Sequence, residues 1–528
     1  MYKNLDKTAA YGKLGELASK GEKCTLAAER VVERSIPIGG GLAYNWAAKM
    51  VSENVADALQ DLADEQKLIE KYRALLEGKI MNTGEKRKVL HHLLRSGKKS
   101  ATGKSVMEGG RDLGEFYAAQ LERALAFAEG VRSGEIAPVC GKRYTTFCQI
   151  GIGGSDLGPR ALSLALKNWA AAEGKTAYRT EFISNVDPDD PSEILASLPL
   201  DQTLFILVSK SGTTQETLTN ELFVKAKLKE ADLNPARHMV AVTSETSPLA
   251  GNPDYLDSFY FDDNIGGRYS SSSPVGGVIL SLAYGGEVFR ALLAGAAEAD
   301  SAALAPKVCE NAALLDACIG VWERNFLGCP CTAILPYSQA LSRFPAHLQQ
   351  LDMESNGKRV NRDGEPVAYP TGPVVFGEPG TNGQHSFFQL LHQGTDIVPL
   401  QFVGFRGSQR HDDITTSGST SQSKLGANLA AQITAFAMGQ SDANGNKHFP
   451  GGRPSSLIHG DRLTPEALGA LLAHYENKVM FQGFIWNLNS FDQEGVQLGK
   501  VLAGKILSGP KGASGDPVLD AYANILGV

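Results

Sequence analysis

No uninterrupted apolar run in these 528 residues approaches the roughly 18 that a membrane-spanning helix needs, so no such helix is expected. The opening stretch MYKNLDKTAAYGKLGELASKGEK also lacks the apolar core and small-residue cleavage site of a secretory signal, and export is not expected. Basic excess is missing too. The 51 Lys and Arg stand against 58 Asp and Glu, and the net charge of −7 argues against a nucleic-acid surface while leaving room for a small anion in a local basic pocket. Cysteines 24, 140, 148, 309, 318, 329 and 331 make no CxxC pair and no His-partnered metal spacing, and their odd number cannot pair completely. Reduced thiols in a cytoplasmic protein without a metal are the expectation. Cys329 and Cys331 read as buried thiols entering the strand CTAILPYS.

Apolar residues at 42% and charged residues at 21% are ordinary for a globular chain, and its length exceeds what one hydrophobic core usually serves. Residues 1–135 read mostly as helices, with helical apolar spacing in NVADALQDLADEQKLIEKYRALL and GEFYAAQLERALAFAEGVRSG. The basic stretch GEKRKVLHHLLRSGKKSATGK reads as a solvated helix end, because Val89, Leu90, Leu93 and Leu94 fit one buried helical stripe. From 144 the rhythm becomes apolar strand, small-residue turn, amphipathic helix, which is the pattern of parallel βαβ units. YTTFCQIGIG, TEFISNV, TLFILVSK and HMVAVTS form one series of strands, and CTAILPYS, GPVVFGEPG and IVPLQFVGF form another. Two doubly wound α/β domains follow, at 136–295 and 296–510, with the helical segment 1–135 packed on the larger and a tail at 511–528.

Ligands of open parallel sheets sit at the carboxyl ends of strands, so the strand-end loops are where chemistry is sought. GIGGSDLGP, residues 151–159, runs from a strand through glycines into a helix whose first N–H groups can face an anion. It fails the dinucleotide fingerprint, since Asp156 stands where the third glycine belongs, and a plain tight turn is the competing reading. Ser209 to Thr217, SKSGTTQET, puts five hydroxyl side chains in nine residues after the strand TLFILV. One hydroxyl suffices to cap a helix, and the spacing is not that of a triphosphate cradle, so a phosphomonoester site is expected. Arg268 sits in the turn-rich GGRYS, a candidate for stabilising negative charge or for a surface ion pair. Gln350 and Glu354, four apart in QQLDMESNGK, share a helical face, and such a carboxylate is either a proton-transferring base or a solvated acid. GEPGTNGQH delivers His385 to the start of the helix SFFQLLHQ, where a neutral imidazole is favoured, whereas His392 reads as packed or solvated.

These segments, with the terminal FDQEGVQLGK and the early NTGEKRKVLHHLLR, occur in an order that resembles the glucose-6-phosphate isomerase family over about 140–500. The resemblance implies two sugar-isomerase-type α/β/α sandwich domains in a homodimer whose active sites are shared between subunits. It also implies that Ser209, Ser211, Thr213 and Thr214 hold a substrate phosphate, that Gly154, Ser155 and Lys210 line the sugar site, and that Gln350 binds the sugar. By the same likeness Glu354 is the base, Arg268 stabilises the enediolate, and His385, from the partner chain, opens the ring with Lys500. Gln493 adds a hydrogen bond near the phosphate. The implied reaction is glucose 6-phosphate to fructose 6-phosphate, in glycolysis and gluconeogenesis, without metal or redox cofactor.

Two features depart from the family pattern: Gly212, where a bulky residue is common, and the serine run Ser270–Ser273. A catalytically silent sugar-phosphate sensor is the rival of a different class, disfavoured by the presence of Glu354, His385 and Lys500. Acceptance of mannose 6-phosphate stays open.

Overall fold

The structure is a computed structural model that describes residues 2–21, 25–175, 178–509 and 514–528, so Cys24 lies outside the described residues. Strands β1 (Ser35–Gly39) and β2 (Leu42–Asn45) form an antiparallel hairpin within the stretch expected to be helical. The hairpin itself is local, but its second strand also pairs with Leu457, Ile458 and His459, a non-local contact that a helix-period reading of the flanking sequence does not detect. The remaining expectation holds for Ala9–Lys20, Glu53–Glu65, Leu68–Leu76 and Leu113–Ser133, all α-helical.

The basic stretch differs from its reading as a solvated helix end. Val89, Leu90, Leu93 and Leu94 are buried as expected, but only His91–Leu94 turns, as a short 3-10 helix. Arg95 is buried as well, because its charge is paired: Nη1 reaches Asp300 at 3.2 Å, Nη2 contacts Glu476, and Nε donates to Ser272 Oγ at 3.0 Å. A buried guanidinium survives only with such a full set of partners.

The first βα series builds a parallel sheet from β3 (Thr146–Ile150), β4 (Arg179–Ile183), β5 (Thr203–Val208), β6 (Met239–Thr243) and β7 (Ser258–Tyr260), in the spatial order β4-β3-β5-β6-β7. After Thr203, whose hydroxyl donates to the Pro199 carbonyl at 2.8 Å, TLFILV has no polar residue to turn toward water, and β5 is buried along its whole length. The second series supplies β8 (Cys331–Pro336), β9 (Val374–Phe376), β10 (Leu400–Phe405) and β11 (Ser455–Gly460), ordered β9-β8-β10-β11, and the hairpin extends this sheet because β2 runs antiparallel to β11. Helices lie against these sheets in the α/β/α manner expected. The long helix Pro465–Ile485 is almost wholly buried and packed on Gly286–Ala302 and Ala312–Asn325.

Cys140, Cys148, Cys309, Cys318, Cys329 and Cys331 are free thiols, and burial pushes Cys329 up to about 12. Among the described residues no helix is long and apolar enough to cross a membrane. The chain divides into two compact units, Met1–Ser490 and Phe491–Val528; the second comprises helices Gln497–Ser508 and Pro517–Leu526.

Candidate active site

In the first sheet the chain leaves β3 toward β4 on one side and returns to β5 on the other, so the loops after β3 and β5 open on a crevice at the strands' carboxyl ends. After β5, Ser209 is buried, and its Oγ accepts from the Gly212 N–H at 3.2 Å and donates to Thr214 Oγ1 at 3.3 Å. Ser211 Oγ accepts from the N–H and the hydroxyl of Thr213, at 3.2 and 2.9 Å, and both of these residues are exposed. Thr214 precedes the helix Gln215–Glu230 without capping it through its side chain, so capping does not explain the hydroxyl cluster. An exposed group of hydroxyls before the first N–H groups of a helix is an anion-binding arrangement.

Gly212 is dictated by geometry. Its φ of +65° lies in the left-handed region, and a Cβ there would stand 2.2 Å from Ser247 Oγ. The departure from a bulky residue thus follows from how this loop lies on 247–249. Lys210 reaches the Ile265 carbonyl at 3.4 Å and Asp263 at 3.8 Å, and burial moves its ammonium below the usual lysine range, against the pull of Asp263.

The loop after β3 is held from below by Gln149, a polar residue inside a buried strand, whose Nε2 donates to the Ser155 carbonyl at 2.7 Å. Asp156, in the place of the missing third glycine, pairs with Arg160 at 2.8 Å. Gly154 packs flush on the next loop: a Cβ on it would lie 2.1 Å from the carbonyl carbon of Gly267. Gly153 faces Gln350, whose Nε2 would be 3.1 Å from a Cβ at 153. Gly154, Arg268 and Gln350 are thereby brought together from three segments far apart in sequence.

Arg268 is fully buried in the 3-10 turn Gly267–Ser272, and each guanidinium nitrogen is committed. Nη1 donates to Glu354 Oε2 at 3.2 Å, Nε to Ser355 Oγ at 2.7 Å and Nη2 to the Ser490 carbonyl at 2.7 Å. Tyr269 Oη lies 2.9 Å from the same Ser355 Oγ. The surface ion pair is excluded, while Glu354 keeps one fifth of its side chain exposed (22%). The serine run also has a role. Ser270 donates to the Gly267 carbonyl, Ser272 accepts from Arg95, and Ser273 caps the helix Pro274–Tyr284 by accepting from the Val275 N–H.

Gln350 and Glu354 do not ride a regular helix. The α-helix Phe344–Gln349 widens into a π-helical turn over Gln350–Glu354, a local expansion that recurs at functional sites. The Gln350 Oε1 atom is buried with no partner among the described residues. Asp352, on the same turn, is buried, and that burial pushes its carboxyl up to about 6 despite Lys478 and Asn356.

His385 closes its own 3-10 turn, Asn382–His385, rather than starting the following helix, which begins at Phe388. The turn is held through Gln384, whose Oε1 accepts from Tyr337 Oη at 3.0 Å, and His385 itself is exposed. His392 is packed, stacked on Phe436 at 3.7 Å between ring centres. Gln493 and Lys500 belong to the second unit, where Lys500 is exposed on Gln497–Ser508 and Gln493 is half-buried. Reading the sequence missed Gln149, Ser355 and the Ser490 carbonyl. Only Gln149 left a signal, as a polar side chain in an otherwise apolar run.

The phosphoglucose isomerase family model matches residues 45–524. A glucose-6-phosphate isomerase of Treponema denticola is 60% identical over 99% of this chain and 99% of its own length, and one of Desulfotalea psychrophila is 47% identical over 96% and 95%. The crystal structure of a glucose-6-phosphate isomerase from Chlamydia trachomatis superimposes with a TM-score of 0.90 at 42% identity, covering 99% of this chain and 100% of the other.

Proposed function

The chain belongs to the phosphoglucose isomerase family, and on that premise we propose how its residues carry out the interconversion of glucose 6-phosphate and fructose 6-phosphate. The enzyme is an aldose–ketose isomerase that works through ring opening and an enediol, a step of glycolysis and gluconeogenesis. Ser209, Ser211, Thr213 and Thr214 hold the phosphate of the substrate, with Gln493 near that end. Gly154, Ser155, Lys210 and Gln350 border the sugar. Once the ring is open, Glu354 takes the proton from C2 while the C1 carbonyl accepts the electron pair, and Arg268 stabilises the resulting enediolate. The O2 proton passes to O1, and the same carboxylic acid returns its proton to C1 as the C2 carbonyl forms.

The single observation that carries this reading is the contact of Glu354 with Arg268 at 3.2 Å, since the guanidinium is fixed by Ser355 and Ser490 and the carboxylate still reaches the crevice. Electrons stay within the sugar, C1 being reduced as C2 is oxidised, so no redox cofactor or metal is assigned a part. His385, from a second copy of the chain, and Lys500 open the ring. Support for a homodimer comes from the exposure of His385 and from the helix Ser421–Met438, where only Leu429 and Phe436 are buried. Free thiols fit a cytoplasmic setting.

The test is turnover of fructose 6-phosphate by Glu354→Gln. A fall of about 10²-fold or more in kcat, with KM little changed, is expected for loss of a general base. Undiminished turnover refutes the assignment.

A further inference from the structure

The two sheets repeat one connectivity. In the first, the chain passes from β3 out to β4, back across to β5 and on to β6; in the second, from β8 out to β9, back across to β10 and on to β11. Each sheet thus has one switch point, between β3 and β5 and between β8 and β10, where parallel α/β sheets take their ligands. The proposed isomerase site occupies the first. At the second is a cavity of about 210 Å³ walled by the loops that follow β8 and β10. It is separate from the phosphate and glycine loops of its own chain: the helix Leu157–Ala172 starts at the glycine loop and borders this cavity only at Asn168, twelve residues past Asp156 and about 18 Å along the helix, while Gln422 and Leu425 of the helix Ser421–Met438 close its far side.

Tyr337, Phe405, Leu425 and Leu463 give the walls apolar area, and among them lie polar groups that are incompletely satisfied. Gln409 is 8% exposed, and its Nε2 donates to the Ala165 and Leu463 carbonyls at 2.8 and 2.9 Å, which leaves Oε1 accepting nothing among the described residues. The backbone N–H groups of Ser338, Ser408, Gln409 and Arg410 likewise donate to no group among the described residues. Ser338 and Ser408 add hydroxyls, and Arg410 adds a permanent cation held, among the described residues, by Asp412 at 3.2 Å and Asn168 at 3.5 Å, both exposed contacts. One wall is firm, since Tyr337 packs against Gly380 and donates to Gln384.

We propose that this cavity between the ends of β8 and β10 is a second ligand site, specific for a small polyhydroxylated phosphate monoester. Its volume is below the roughly 300–1,000 Å³ of pockets for drug-sized ligands, which favours a small ligand. Arg410 and the loop N–H groups take the phosphate, displacing Asp412 from an exposed pair. The Gln409 carbonyl oxygen and the two serines take the hydroxyls.

Equilibrium dialysis of the full chain with labelled sorbitol 6-phosphate, a polyol phosphate that cannot isomerise, tests the site. Two equivalents per chain are expected for the unaltered protein. Arg410→Glu loses one while keeping its isomerase turnover, which shows that it is folded, and Ser211→Ala with Thr214→Ala loses the other. A single equivalent in the unaltered protein, or two retained by Arg410→Glu, overturns the proposal. Displacement of the Arg410-dependent equivalent by inorganic phosphate at equal concentration refutes the polyol specificity. If the Ser211/Thr214 variant keeps both equivalents, the phosphate-loop assignment fails while the Arg410 arm still reports on the second site.

Discussion

Arg268 shows why residue type alone did not decide its role. A lone arginine in a glycine-rich turn is compatible with a surface pair, and its burial depends on three acceptors, Glu354, Ser355 and the Ser490 carbonyl, that no local pattern connects to it. Glu354 and Gln350 were legible because they lie close in sequence. Ser355 was not, since a serine after a glutamate has no signature until the guanidinium is seen to need it. Asp352 offers a test at this scale. Burial raises its carboxyl to about 6 in the folded protein, from an ordinary value of 3.8, so between those pH values the folded state binds more protons than the unfolded and stability falls as pH rises. Above pH 6 the cost reaches on the order of 3 kcal/mol at 1.36 kcal/mol per unit. Asp352→Asn is therefore expected to raise the unfolding midpoint at pH 8 and to leave it unchanged near pH 4, measured by thermal denaturation at both pH values. Equal shifts at both would show that the carboxyl's ionisation is not responsible.

At the scale of elements, the βα rhythm and the phosphate loop were readable because they are local: TLFILV followed by SKSGTT is a buried strand ending in hydroxyls, whatever the rest of the chain does. The hairpin of β1 and β2 was hidden because its stability comes from pairing with β11, more than 400 residues away. The π-helical turn was hidden for a similar reason, since its widening reflects the surroundings of the helix and not its composition. Gly154 ties two loops that the sequence keeps apart. Gly154→Ala must push the 151–156 loop off Gly267, an overpacking that costs about 1–3 kcal/mol and moves the glycine loop relative to Arg268. A drop in both unfolding midpoint and kcat is expected, from calorimetry and steady-state kinetics. A variant unaffected in both would contradict the close approach.

For the whole molecule, the proposed shared site makes a prediction that a self-contained monomer does not. His385→Ala and Glu354→Gln chains, each inactive alone, should regain activity when unfolded together and refolded. In a random mixture half the dimers are hybrid, and each hybrid assembles one site with both intact groups and one with neither. Regain of about a quarter of the unaltered activity is expected, and none if each site is built from one chain.

The central claim is that Glu354 itself carries the proton between C2 and C1, and the exchange of that proton reports on it without the complication of ring opening on the product side. Glucose 6-phosphate incubated in deuterium oxide with Glu354→Gln, and followed by proton NMR at C2, should keep its C2 hydrogen while the substrate still binds. Loss of that hydrogen at the rate set by the unaltered enzyme would contradict the account, because another group would then be removing it.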